Sequence, residues 1–221
     1  TNGLIVGSDG VILKTTNSGE EWEFRTSGST TGLYSIDLSD DNNAIAVGDY
    51  GFILKTTDGG SNWTTQNSGT NKHLVGVSYI DPNNSHVVGY EGTIIRTIDG
   101  GNNWIMESNS ITTSVLRGID FIDTNTGIIV GNSGIILKTL DGGLNWLPQT
   151  SGTSNLLDDV FFVTSNIVYA IGRYGTILKS TDGGNIWSQQ SSGSSEWLRG
   201  IFFNDENNGV VVGDNGAVIK T

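Results

Sequence analysis

Tyrosine, tryptophan, arginine and aspartate side chains recur at corresponding places of a repeating sequence pattern. They are Tyr34, Tyr50, Tyr90, Arg117, Asp158, Arg173, Tyr174, Trp197 and Arg199. Flat aromatic faces bind sugar rings or the apolar side chains of a partner, whereas arginine and aspartate bind polar and charged groups. We therefore predict that these residues form a binding surface for a protein or a glycan.

An internal repeat defines the elements that must position these residues. Five tryptophans are spaced by 41, 41, 42 and 41 residues, at Trp22, Trp63, Trp104, Trp146 and Trp187. Each is the last residue of a matching segment such as VGDYGFILKTTDGGSNW. A sixth, shorter copy, VGDNGAVIKT, lies at the end of the printed sequence. A repeat of this length with several short apolar segments is typical of a circular or solenoid architecture.

Each repeat is predicted to contain four strands, which we label A to D. Strand A (LVGVSYI) is the most apolar and is expected to be the most buried. Strands B (NAIAVG) and C (FILKT) flank a Gly-x-x-Gly turn, and strand D begins at the tryptophan. This pattern predicts an all-β protein, a β-propeller with four-stranded antiparallel blades. Strands A and D occur five times and B and C six times, which favours six blades with an incomplete first and last member; five or seven blades are the alternatives. We expect one propeller domain over residues 1–221, either complete or a segment of a longer chain.

Charge and composition narrow the classes of partner. The formal net charge is −12 and there is no cysteine. An acidic chain is poorly suited to bind nucleic acid or anionic lipid, and the lack of cysteine excludes disulfides and thiolate chemistry. No apolar run approaches the roughly 20 residues of a membrane helix. We predict no nucleic-acid partner, no membrane insertion and no cofactor; the oligomeric state stays open.

The turn between strands C and D has the pattern [S/T]-x-D-G-G-x-x-W. Its candidate structural residues are Asp58, Trp63, Asp99, Trp104, Asp141, Trp146, Asp182 and Trp187. The aspartates can accept hydrogen bonds from N–H groups of the turn, the second glycine suits a positive φ, and the indole N–H is expected to donate to a carbonyl. The motif resembles the Asp-box of bacterial neuraminidase repeats. Because its copies fall on successive blades, we predict a structural role and no metal site.

The longer pattern V-G-x-x-G-x-I-x-K-T-x-D-G-G-x-x-W resembles the repeat of the photosystem II assembly-factor type of propeller, which also occurs in large secreted bacterial proteins. This resemblance implies a propeller fold and, as one alternative function, an assembly-factor-like chaperone with an arginine-rich binding patch. The chain has only five arginines and a surface rich in Asn, Ser, Thr and Gly. This composition favours a secreted or cell-surface bacterial protein, with the periplasm or the thylakoid lumen as alternatives.

In a propeller the D–A and B–C loops share one face, where the candidate binding residues are expected to lie. The opposite face carries acidic A–B loops, including DTNTG at 123–127 and DENNG at 205–209. These loops could supply oxygen ligands to calcium, but neither has the spacing of an EF-hand, so solvated turns are favoured. A cation repeated on strand C is expected to pack or pair across the strand surface: Lys14, Lys55, Arg96, Lys138, Lys179 and Lys220.

The resemblance to neuraminidase repeats makes glycoside hydrolysis the alternative to simple binding. A sialidase-like site would draw on Arg117, Arg173 and Arg199 together with Tyr174, Asp158 and Asp159. Asp158 and Asp159 are adjacent on a strand, so their side chains should point to opposite faces. The uniform repeats also leave no insertion that could enclose a pocket. We predict a non-enzymatic interaction or structural module that binds a protein or glycan through the D–A and B–C loops.

Overall fold

The computed structural model describes residues 2–107 and 111–221, which form an all-β structure with short 3-10 turns. The chain separates into two compact units, residues 1–108 and 109–221. Each unit contains three antiparallel sheets whose strands follow one another in chain order, as in the blades of a β-propeller. No helix in the described ranges is long and apolar enough to cross a membrane.

The first unit contains sheets 1 to 3. Sheet 1 consists of β1 (Gly3–Val6), β2 (Ile12–Thr15) and β3 (Glu23–Arg25). Sheet 2 consists of β4 (Leu33–Leu38), β5 (Ala44–Gly48), β6 (Phe52–Thr56) and β7 (Thr64–Asn67). Sheet 3 consists of β8 (Leu74–Tyr79), β9 (Ser85–Gly89), β10 (Ile94–Thr97) and β11 (Ile105–Met106).

The second unit contains sheets 4 to 6. Sheet 4 consists of β12 (Leu116–Phe121), β13 (Gly127–Gly131), β14 (Ile136–Thr139) and β15 (Leu147–Gln149). Sheet 5 consists of β16 (Leu157–Phe162), β17 (Val168–Gly172), β18 (Ile177–Ser180) and β19 (Ser188–Gln190). Sheet 6 consists of β20 (Leu198–Asp205), β21 (Asn208–Gly213) and β22 (Val218–Lys220).

The predicted fold class and strand pattern are confirmed. Within the described ranges there are six sheets, and only the first and last have three strands, since sheet 1 lacks strand A and sheet 6 lacks strand D. One boundary differs from the prediction, because strand D begins one residue after the tryptophan, for example at Thr64. The tryptophan itself still belongs to the turn.

The expectation that strand A is the most buried strand is wrong. Strand B is buried along its whole length in β5, β9 and β13, whereas the strand A of each of these sheets (β4, β8 and β12) contains residues that are at least partly exposed. In these three sheets strand B has a hydrogen-bonded neighbour on each side, while strand A is an edge strand. Apolar composition alone does not distinguish these two positions.

Successive sheets within a unit pack face to face through these strands. In the first unit Ile45 and Val47 of sheet 2 share one apolar cluster with Leu74 and Val87 of sheet 3. Removing such apolar surface from water is the main stabilising contribution, about 25 cal/mol per Å². The sheets are therefore held together by side chains from strands that are far apart in the sequence.

Polar groups link the same sheets along strand A. The carboxylate of Asp37 accepts the backbone N–H of Tyr79 at 2.7 Å, and that of Asp120 accepts the N–H of Phe162 at 2.7 Å. Each bond joins strand A of one sheet to strand A of the next. The strand A carboxylates therefore help to fix the register between sheets.

The prediction for the repeated cation of strand C is also confirmed at several positions. Lys55 Nζ donates to the carbonyl of Gly100 at 2.7 Å, which lies in the C–D turn of the next sheet, and Lys138 Nζ donates to Asn185 Oδ1 at 2.9 Å. Arg96 instead pairs with Glu107 of its own sheet at 2.5 Å.

Candidate functional site

The Asp-box turns are closed hydrogen-bond networks. In sheet 2, Asp58 Oδ1 accepts the backbone N–H groups of Ser61 and Asn62 at 3.0 and 2.8 Å, and Asp58 Oδ2 accepts the side-chain amide of Asn62 at 2.7 Å. The Asn62 amide is the largest of the contributions that lower the pKa of Asp58 to about 2. The second glycine, Gly60, has φ +82°, as predicted. These contacts occupy both carboxylate oxygens, which supports the predicted structural role.

Two parts of the turn differ from the sequence prediction. Trp187 donates its indole N–H as expected, to the carbonyl of Gly184 at 3.0 Å. The indole N–H groups of Trp63, Trp104 and Trp146 are buried and have no acceptor among the described residues. In those turns the ring contributes by filling space under the hairpin. The asparagine before the tryptophan was not singled out from the sequence, although it repeats in three of the four turns.

The B–C turns have an unusual backbone that the sequence analysis did not predict. Each is a 3-10 turn whose middle residue has a positive φ although it is not glycine. These middle residues are Asp9, Tyr50, Glu91, Ser133, Tyr174 and Asn215. Aspartate and asparagine adopt this left-handed region readily, whereas a tyrosine does so at a cost. The Gly-x-x-Gly pattern is the available signal, because its second glycine also has a positive φ.

In the first unit, three predicted site residues gather around Asp49, in what we call the tyrosine cluster: Tyr34, Asp49, Tyr50, His73 and Tyr90. Tyr34 Oη donates to Asp49 Oδ1 at 2.5 Å, and His73 Nδ1 lies 2.7 Å from the same oxygen. The His73 ring is 4.8 Å from the Tyr50 ring and 5.1 Å from the Tyr90 ring, measured between centroids. The bond to Asp49, together with burial and nearby charge, raises the pKa of Tyr34 to about 12.

Asp49 and His73 are the members of this cluster that are not among the predicted binding residues. They come from the B–C turn of sheet 2 and the loop before strand A of sheet 3, 24 residues apart. In the sequence Asp49 is one of the two residues between the glycines of the Gly-x-x-Gly turn, and nothing there pairs it with His73.

In the second unit, five predicted site residues form what we call the arginine cluster: Arg117, Asp158, Arg173, Trp197 and Arg199. The guanidinium carbons of Arg173 and Arg199 lie 3.8 and 3.5 Å from the centroid of the Trp197 ring. Both guanidinium groups are thus well within cation–π distance of the indole. Arg117 lies farther out, at 5.7 Å.

Asp158 is the anionic centre of this cluster. It pairs with Arg117 at 3.3 Å and with Arg199 at 3.7 Å, and Arg199 also makes a two-point contact with Asp214 at 2.8 and 3.1 Å. Burial raises the pKa of Asp158, and the two guanidinium groups counteract part of this rise. The carboxylate is therefore committed to ion pairs within the protein.

The neighbouring Asp159 has a different environment, as its place on the strand predicts. Its Oδ1 accepts the N–H of Val160 at 2.9 Å and its Oδ2 accepts the N–H of Ile201, on strand A of the next sheet, at 3.1 Å. It is surrounded by protein, and desolvation raises its pKa to about 7, although part of its surface remains accessible. Asp159 thus links strands and does not form a catalytic pair with Asp158.

The last predicted site residue, Tyr174, belongs to neither cluster. It occupies the middle of its B–C turn at φ +58° and is 70 % exposed. In the acidic A–B loops, Asp123 and Asp205 accept N–H groups of their own turns. No group of three acidic, histidine or cysteine side chains suited to hold a metal occurs in residues 2–107 and 111–221.

The repeated antiparallel sheets define this chain as a β-propeller protein. Its repeats match the family model described as photosynthesis system II assembly factor YCF48 over residues 1–69, 63–148 and 147–221. The chain therefore belongs to the YCF48 family.

Solved structures share this fold. A structure described as YCF48 bound to D1 peptide is 21 % identical with a TM-score of 0.65, over 99 % of this chain and 87 % of that one. YCF48 from Cyanidioschyzon merolae is 20 % identical with a TM-score of 0.64, over 99 % and 90 %. Virginiamycin B lyase from Staphylococcus aureus is 16 % identical with a TM-score of 0.81, over 98 % and 78 %. At these identities the likeness concerns the fold alone. A comparison with curated protein sequences finds no match.

Proposed function

We propose that this chain is a non-enzymatic, protein-binding propeller in which each unit offers a contact surface to a protein partner: the tyrosine cluster in the first unit and the arginine cluster in the second. The observation that carries the proposal is the pair of exposed tyrosines at positive φ. Tyr50 and Tyr174 are 73 % and 70 % exposed and have φ values of +55° and +58°.

Neither tyrosine is explained by the stability of its turn. A non-glycine residue in the left-handed region costs about 1 kcal/mol, less for aspartate and asparagine, which occupy the same position at Asp9 and Asn215. The Tyr50 ring contacts His73 on one side, but both tyrosine rings stay largely exposed, so packing offsets only part of that cost. Large aromatic groups held out into solvent on short, well-defined turns are suited to contact a partner, where tyrosine is enriched.

The arginine cluster supports the same proposal by presenting rigid charged groups. Stacking on Trp197 fixes the guanidinium planes of Arg173 and Arg199, so that little side-chain entropy is lost when they bind. The side chain of Arg199 remains 43 % exposed. A peptide with polar or acidic groups fits such a surface, and a family relative has been solved in complex with a peptide.

A purely binding role is favoured over glycoside hydrolysis by the state of the carboxylates. A glycosidase needs two carboxyl groups, about 5–9 Å apart, that are free to exchange protons. Asp158 is ion-paired to Arg117 and Arg199, and Asp159 accepts backbone N–H groups. Two arginines of a sialidase-like triad are likewise paired: Arg117 with Asp158, and Arg199 with Asp158 and Asp214.

The place of action that we propose is outside the cytosol. The lack of cysteine and the polar, acidic composition fit a secreted or cell-surface bacterial protein. Membership of the YCF48 family supports the thylakoid lumen as the alternative compartment.

Peptide and glycan arrays probed with the labelled chain test this proposal directly. For the best peptide hit, we expect Tyr50→Ala or Tyr174→Ala to weaken binding at least about fivefold, as for residues near the centre of an interface. Phe24→Ala is the matched control, because Phe24 is 76 % exposed but lies on β3, outside the turns.

Three results would overturn the proposal. The first is the absence of any reproducible peptide hit. The second is peptide binding that Tyr50→Ala, Tyr174→Ala and Trp197→Ala all leave unchanged within twofold. The third is binding to glycans alone, with or without calcium, which would replace the protein partner by a carbohydrate.

A further inference from the structure

One position of the repeat places a side chain between consecutive B–C turns. It is the residue before the first leucine of strand A, occupied by Gly32, His73, Val115, Leu156 and Trp197. The His73 ring lies between Asp49 and Tyr50 of the preceding turn and Tyr90 of its own sheet. The Trp197 ring lies in the same way between Arg173 of the preceding turn and Arg199 of its own sheet.

In sheet 2 this position is Gly32, and the corresponding place is a cavity. The cavity has a volume of about 370 Å³ and is lined by Ser8 and Asp9 of the preceding B–C turn and by Gly32, Tyr34 and Asp49 of sheet 2. All of these residues belong to the first unit. The cavity thus lies where the other sheets place a side chain of their own.

The lining of this Gly32 cavity is anionic and aromatic. Asp9 and Asp49 each contribute a carboxylate, and no lysine or arginine among the described residues pairs with either one. Asp49 Oδ1 is taken by Tyr34 and His73, but Asp49 Oδ2 accepts no hydrogen bond from the described part of the chain. That oxygen faces Gly32, since a methyl group there would come within 2.7 Å of it.

We propose that the Gly32 cavity binds a cationic side chain, arginine or lysine, of the partner segment. This inference rests on the protein-binding function proposed above and adds the chemistry of one anchoring residue. Two carboxylates attract a positive group, and the phenol ring of Tyr34, which also lines the cavity, favours a cation through its quadrupole. An anionic or purely apolar group would leave the free carboxylate oxygens without a partner.

Sheet 6 has a related arrangement, in which the groups around the residue before strand A are cations. There Arg199 follows the leucine of strand A and contacts Asp214 of the B–C turn, as Tyr34 contacts Asp49 in sheet 2. The space beside that pair is filled by the chain's own Trp197, stacked on guanidinium groups. In sheet 2 the flanking groups are the carboxylates of Asp9 and Asp49 and the phenol of Tyr34, and the complementary cation must come from another molecule.

The test is an NMR titration of the ¹⁵N-labelled chain with N-acetyl-arginine amide and with N-acetyl-citrulline amide. Citrulline has nearly the shape of arginine but no charge. We expect arginine to shift the amide signals of Ser8, Asp9 and Asp49, and citrulline to bind at least about fivefold more weakly, as for loss of a cation–carboxylate contact. Added salt should weaken the arginine complex.

Substitutions of residues that line the cavity then test whether arginine binds there. Asp9→Asn should weaken arginine binding about fivefold without harming the turn, because asparagine accepts the positive φ of residue 9. Gly32→Ala should weaken it by displacing the Asp49 carboxylate. Glu91→Gln is the matched control: Glu91 is the middle residue of the B–C turn of sheet 3 and pairs with Lys72 at 2.6 Å, outside the cavity.

Equal binding of arginine and citrulline, shifts confined to the surroundings of Trp197, or unchanged binding in both Asp9→Asn and Gly32→Ala would overturn the inference. These failures differ from failure of the proposed function. Peptide hits that depend on Tyr50 or Tyr174 but show no preference for arginine or lysine would keep the function and remove the cation site.

Discussion

The hydroxyl group of Thr56 is predicted to be a main determinant of stability in the C–D turn of sheet 2. Thr56 is 2 % exposed. Its Oγ1 accepts the backbone N–H of Gly60 at 2.9 Å and that of Asp58 at 3.3 Å, and donates to Asp58 Oδ1 at 2.9 Å. Thr56→Val keeps the shape of the side chain and removes all three bonds.

The size of the effect follows mainly from Gly60. Its N–H is buried and has no other acceptor in the turn, so the valine variant leaves it unsatisfied, at about 1–3 kcal/mol. The bonds to Asp58 contribute less, because water can replace them at the exposed carboxylate. A net loss of about 2 kcal/mol corresponds to a fall in Tm of about 4–8 °C for a chain of this size.

Differential scanning calorimetry of Thr56→Val, Thr56→Ser and Thr65→Val tests whether the Thr56 hydroxyl stabilises the turn. Thr56→Ser retains the hydroxyl and has a natural precedent at Ser180, which makes the same contacts to Asp182 and Gly184. It should therefore stay close to the wild type in Tm. Thr65→Val, on the exposed surface of β7, should change the free energy of unfolding by no more than about 0.5 kcal/mol. Equal Tm values for Thr56→Val and Thr65→Val would show that the hydroxyl group does not stabilise the turn. A Tm for Thr56→Ser as low as that of Thr56→Val would show the same.

Two further changes test the strand A carboxylate and the strained turns. Because the pKa of Asp159 is raised to about 7 in the folded chain from 3.8, its contribution to stability should be largest below pH 4 and decline as the pH rises to about 7. The decline amounts to at most about 1.4 kcal/mol per pH unit, since solvent access reduces it. Asp159→Asn should remove this slope in urea unfolding between pH 4.5 and 8, whereas parallel profiles would refute the assignment. Tyr174→Asn should raise the free energy of unfolding by about 0.5–1 kcal/mol, because asparagine favours a positive φ, while it weakens peptide binding. A variant that is less stable than the wild type would show that Tyr174 supports its turn.

Much of the fold could be predicted because the repeat encodes it locally. The 41-residue period, the Gly-x-x-Gly turn and the Asp-box pattern each specify a short segment through residue type and backbone preference. Gly60 adopts its positive φ and Asp58 its N–H partners within one turn of the chain. For the same reason the order of strands within each sheet followed from the sequence.

The composition of the candidate site depended on contacts between sheets. Asp49 meets Tyr34 and His73 across 15 and 24 residues, and Trp197 joins Arg173 of a neighbouring sheet. Such contacts are set by how side chains of consecutive sheets interlock, which residue types alone do not encode. The sequence by itself determined that these loops carry aromatic and charged residues. Only the tertiary structure decided which residues meet and that Gly32 leaves an acidic cavity, because distances across packed sheets arise from the fold as a whole.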